Sequence, residues 1–150
     1  MTSTTVPSVA TSRLPFTRVL LAGVIAIVLS VIANLVVRWL GMLVASVPAD
    51  FVPLATFQPT IIYTTLFLVV ATLIFALINR FTSNPIRVWY IVAPIGLLVS
   101  LLPDVLLLVN PSGIPQVGTA TTGAVLILMA MHLVGFVITM WVFTRWAPRT

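Results

Sequence analysis

Two acidic residues and one histidine are the only side chains in 150 residues that could exchange a proton near neutral pH or hold a cation. Asp104 lies in the oily run "LLVSLLPDVLLLVN" beside Pro103, and His132 lies in "LMAMHLVGFVI". Asp50 sits apart from both in the proline-rich stretch "SVPADFVPLATFQPT". The seven basic residues are all arginine, and Arg38 is the one set deep between apolar runs, four residues after Asn34 and eight after Ser30. The chemistry open to these groups is narrow. With no cysteine there is no thiol catalysis, thiolate metal site or disulfide, and with no lysine there is no Schiff base. No GxSxG, HExxH, glycine-rich phosphate loop or metal-ligand spacing occurs. Met129 and Met131 beside His132 suggest haem or copper, but one histidine is a thin ligand set. No catalytic residue, metal or cofactor is expected, and the chain does not read as an enzyme.

The elements that position these groups are set by composition. Hydrophobic residues make up 61% and charged residues 6%, and the mean hydropathy is +1.25. Soluble domains carry about a quarter charged residues, so the chain is expected to be an all-α integral membrane bundle. Four apolar runs approach the roughly 20 residues that cross a bilayer: 19–37 with an extension to 44 open, 60–79, 88–109 and 119–143. Pro59 suits a helix start, Ser83 or Asn84 can cap the third span ahead of Pro85, and the links are short. Residues 1–12, rich in Ser and Thr, are expected to form a disordered tail before a transmembrane domain over 13–150. A cleaved signal peptide ending at "VIA" before Asn34 is the rival for the first run, opposed by the apolar "LVV" that follows at once.

Arginine placement orients the spans. Arg13 and Arg18, Arg80 and Arg87, and Arg145 and Arg149 fall on one side of a four-span chain, which puts both termini in the cytoplasm; Asp50 and "NPSGIPQVG" fall on the other. Trp89, Tyr90, Trp141 and Trp146 would form the inner interfacial belt, and Trp39 and Tyr63 the outer one. The net charge of +5 is spread singly between apolar runs, which argues against a nucleic-acid partner. In the outer loop Phe51 and Phe57 could rest on the interface. The loop itself is either a plain connector or a lid over something beneath.

Helical rise of about 1.5 Å per residue puts Ser30, Asn34, Arg38, Ser100, Asp104 and His132 roughly 18–30 Å above the inner arginines, all in the outer half. Ala22, Ala26, Ser30, Asn34 and Arg38 form one ridge on the first span, and Gly96, Ser100 and Asp104 form one on the third. If these ridges face each other, Asn34 meets Asp104, Arg38 neutralises it, and Ser30 meets Ser100, with His132 joining from the fourth span and Thr64 or Thr65 from the second. A lone charge in hydrocarbon costs at least about 2.5 kcal/mol, so Asp104 needs such a partner. Pro103 removes one backbone hydrogen bond beside it.

The motifs "LVSLLPD", "LMAMHLVGFVI" and "IANLVVR" resemble a family of small four-span bacterial membrane proteins known only as a domain of unknown function, over nearly the whole stretch from Arg18 to Arg145. That resemblance implies the four-helix fold and a bacterial plasma membrane, and no substrate, cofactor or catalytic residue. Two roles are open. One is a non-enzymatic subunit or accessory protein, touching the lipid bilayer and either itself or another membrane protein. The other is a small proton- or solute-handling unit using Asp104 and His132.

Overall fold

The structure, a computed structural model, describes residues 13–148. The expected tail, residues 1–12, and Arg149 lie outside the described residues. Four helical spans are long and apolar enough to cross a membrane: Phe16–Val44, Phe57–Phe81, Pro85–Val109 and Thr122–Trp146. The chain is therefore a multi-pass, all-α membrane protein, as composition requires. Helix α1 is Phe16–Val44, and it runs unbroken past Asn34 to the far end of the extension. A single turn, α2 (Val52–Ala55), precedes α3 (Phe57–Phe81). The third span is two pieces, α4 (Pro85–Ser100) and α5 (Leu102–Val109), and α6 (Thr122–Trp141) closes the bundle before a last wide turn at Val142–Trp146.

Local signals account for these boundaries. The Asn84 side chain accepts from the Arg87 amide at 3.2 Å and caps α4, where Pro85 opens the helix with no donor to lose. Thr121 caps α6 by accepting from the Ala124 amide at 3.2 Å. Leu101 separates α4 from α5 because Pro103 cannot donate backward; the neighbouring bonds survive, with Leu101 N to Leu97 O at 3.1 Å and Val105 N to Leu101 O at 2.9 Å. The break turns Pro103 and Asp104 into the first turn of α5. A carboxylate there faces the positive end of a helix dipole, which is one reason a proline and an acid stand together in this oily run.

Short links make consecutive spans neighbours, so α1 packs on α3 and α6, while the third span packs on α3 and α6. The first and third spans therefore stand diagonally. Close approach is bought by glycine at two places on α1: a Cβ on Gly23 would lie 2.4 Å from Thr72 Cγ2, and one on Gly41 would lie 2.5 Å from Ile127 Cγ1.

Two cores result, one at each end. Toward the termini, Phe75 stacks on Phe143 at 4.4 Å between centroids, and Trp89 meets both rings edge-on. Trp89 is 3% exposed, so it belongs to this core and not to the inner belt assigned to it from sequence; Tyr90, Trp141, Trp39 and Tyr63 do face outward. The strap before α1 is pinned here too. Leu14 N donates to Asn79 Oδ1 at 2.8 Å, and Asn79 Nδ2 donates to Leu14 O at 2.9 Å.

At the opposite end the two loops clasp. Thr121 Oγ1 donates to Ser46 O at 2.7 Å, and Thr119 N donates to Asp50 Oδ2 at 3.2 Å. Gly118 adopts φ +81°, with the Asp50 carbonyl where a Cβ would be. Phe51, expected at the interface, is instead fully buried with Leu54, against Leu107, Ala124, Val125 and Met131. The segment is a packed cap, since burying a phenyl ring outweighs leaving it at a boundary.

Candidate functional site

The α1 ridge is as the four-residue spacing requires. Ala22, Ala26, Ser30, Asn34 and Arg38 are all buried. What it faces differs from the expectation. Because the third span is diagonal to α1, the ridge meets α3 and α6 instead, and the polar residues divide into two groups.

The first group lies between α1, α3 and the cap. Asn34 Nδ2 donates to Thr64 Oγ1 at 3.0 Å, so Asn34 pairs with the second span and not with Asp104. Arg38 sends one amino group to Leu54 O at 2.7 Å and toward Ala55 O at 3.4 Å. Its guanidinium carbon stands 4.6 Å from the centre of the Phe57 ring. The expected Arg38–Asp104 pair is absent among the described residues. The arginine is solvated by carbonyl dipoles at the C-terminal end of α2 and by an aromatic face. Thr60 sits one turn above Thr64 on α3 and is 2% exposed.

The second group lies between α5 and α6. His132 Nδ1 is 3.0 Å from Asp104 Oδ2, the one ion pair among the described residues, and 3.0 Å from Leu128 O. A single Nδ1–H cannot serve both acceptors equally. Of the two, only the Leu128 carbonyl meets hydrogen-bond geometry, and the Asp104 contact is an ion pair when the imidazole is protonated. Asp104 is buried, while a quarter of the imidazole is exposed. The Phe67 ring approaches the imidazole edge-on at 6.4 Å. Such a pair can take up or release a proton within the span, and an imidazole is suited to that near neutral pH.

Ser100 joins neither group. Its hydroxyl donates to Leu97 O at 2.8 Å on its own helix, and Gly96, one turn below, has nothing within 4 Å of a Cβ position. The small-residue ridge expected to dock the third span on the first is thus open, and Ser30 does not meet Ser100. Of the six residues picked from sequence, only Asp104 and His132 are brought into mutual contact. Thr60, Phe57 and the Leu54 carbonyl were not foreseen as members of the Arg38 group. The i, i+4 spacing of Thr60 and Thr64 is the signal that could have found the first of them.

Among the described residues no group of three or more His, Cys, Asp or Glu side chains could hold a metal. Residues 10–149 match the family of unknown function DUF6069, and the chain belongs to that family. No curated protein and no solved structure matches it.

Proposed function

We propose that this chain is a non-enzymatic subunit or accessory protein of a bacterial plasma membrane, with both termini in the cytoplasm. One observation carries the subunit role. The most apolar stretches of the first and fourth spans are 33% and 39% buried within the chain, whereas those of the second and third are 11% buried each. Two spans thus hold the bundle by a narrow edge and offer the rest of their surface to lipid or to another helix. Thr72, Ser100, Thr139 and Thr144 bond carbonyls of their own helices and Asn34 bonds Thr64, which fits a structural part better than a catalyst. A photo-crosslinking side chain placed at Ile62, Ile91 or Leu98, each about 60% exposed, should give a discrete protein adduct in native membranes. Lipid adducts alone at all three positions would overturn the subunit role. Orientation is tested separately by single cysteines, which the chain lacks: Ser112→Cys should react with an impermeant maleimide on intact cells, and Thr17→Cys should not.

A second role, as a proton- or solute-handling unit, draws support from the Asp104–His132 contact at 3.0 Å. Under that reading the purified chain in vesicles carries a pH-dependent flux that Asp104→Asn removes without unfolding it. Equal leak with and without the protein would sink it.

A further inference from the structure

Four side-chain atoms in the seam between α1 and α3 have no hydrogen-bond partner although their residues are more than nine-tenths buried: Ser30 Oγ, Asn34 Oδ1, Arg38 Nε and Thr60 Oγ1. Their placement is not scattered. Ser30, Asn34 and Arg38 share one ridge, about 6 Å apart per step. The Asn34–Thr64 bond registers α3 against that ridge, and since α3 runs the opposite way, Thr60 comes level with Arg38. Below, Gly23 lets the Thr72 side chain press against α1, where a Cβ would clash with it. The seam is closed above by the cap, which Arg38 itself holds through Leu54 O at 2.7 Å.

Buried polar groups without partners are expensive, and native proteins satisfy them with ordered water or a ligand. The chemistry here selects among those. Three of the four atoms are donors: a guanidinium N–H and two hydroxyls. The fourth belongs to an amide whose oxygen and nitrogen can exchange places. In the exchanged orientation the Thr64 hydroxyl donates to Oδ1, and the amide N–H₂ turns toward the unpartnered groups. Arg38 brings a full positive charge, and no carboxylate among the described residues pairs with it; Asp104 faces His132 and Asp50 serves the Thr119 amide. Buried unpartnered donors beside a cation that no carboxylate pairs match an anion.

We propose that this seam is an occluded binding site for a small monovalent inorganic anion of chloride or bromide size, held by Arg38 Nε, Thr60 Oγ1 and the Asn34 amide. The site is independent of the subunit role, because binding is read without any partner or flux.

The test uses the full chain in a non-ionic detergent, which supplies no lipid phosphate, with bromide replacing gluconate at constant ionic strength. The thermal midpoint should rise saturably with bromide, since a ligand bound only by the folded state stabilises it by mass action. Thr60→Val keeps the shape and the charge, and should weaken half-saturation by about fivefold, the worth of one hydrogen bond. It should leave the bromide-free midpoint unchanged or higher. Arg38→Gln should abolish the response; should that variant fail to fold, Thr60→Val still decides. Anomalous scattering from a bromide-soaked crystal should place the ion against Arg38 Nε. A midpoint indifferent to bromide means the groups are met by water alone and overturns the proposal. So does a non-saturating rise shared equally by wild type and Thr60→Val, which is a general salt effect.

Discussion

The two ends of this bundle are held by opposite means. Toward the termini, three rings from three spans lock together: Phe75, Trp89 and Phe143, with Val19 and Ala22 packed beneath. At the far end, apolar contacts are shared with a clasp of hydrogen bonds between loops, a guanidinium over a phenyl ring, and an aspartate beside a histidine. Shape carries most of the first kind of packing, because the two phenyl rings bring no polar group and only the Trp89 indole N–H goes unmet. The second kind binds each group to a specific partner, and where a partner is lacking the structure holds an unmet atom. Ser30, Asn34, Arg38, Thr60 and Asp104 all supply such atoms, against Trp89 Nε1 near the termini. A membrane protein can be rigid at both ends, but only the polar end retains chemistry to spend on a ligand or a proton.

The contrast can be broken most violently at the aromatic end. Phe75→Ala empties a fully buried site and should cost about 3–5 kcal/mol, as large-to-small core changes do, read as a lowered unfolding midpoint in a denaturing-detergent titration. At the polar end Arg38→Gln should cost less, on the order of 2 kcal/mol, for a charged hydrogen bond lost. Its signature is local: protease should cut within 51–57 while the Trp89 emission stays native. Unchanged cleavage would mean that Phe51 and Leu54 hold the cap unaided. For Asp104 and His132, Asp104→Asn and His132→Gln singly and together should show a coupling of about 0.5–3 kcal/mol; additive effects would mean the two merely sit near each other. Gly118→Ala forces a side chain into φ +81° against the Asp50 carbonyl, and should cost about 1–2 kcal/mol, confined to the loop clasp. The smallest effect belongs to Asn34→Leu with Thr64→Val. Replacing both partners of a buried bond by apolar groups is nearly neutral, and a large loss would assign Asn34 a role beyond that bond.

Much of this was legible in the residues. The four spans follow from run length, and Asn84, Pro85 and Pro103 mark a cap, a start and a break where the helices show them. The Ala22-to-Arg38 ridge is buried because a four-residue recurrence keeps side chains on one face of a helix whatever that face meets. Depth was legible too: Asn34 and Thr64, counted from opposite ends of their spans, do meet.

Facing was not. Periodicity describes one helix at a time and carries no information about which neighbour a ridge will find. Asp104 lies level with both Arg38 and His132, and sequence offered no reason to prefer the weaker base over the permanent cation. Connectivity decided it, since short links seat each span beside the next and leave the first and third across the diagonal. With Asp104 out of reach, Arg38 turned to the carbonyls of a cap that could only be known once Phe51 and Leu54 had folded inward. Hydropathy and spacing are properties of a chain and survive in any arrangement of its helices. The partner of a buried charge is a property of the arrangement, because it depends on which groups lie within a few ångströms once water is gone.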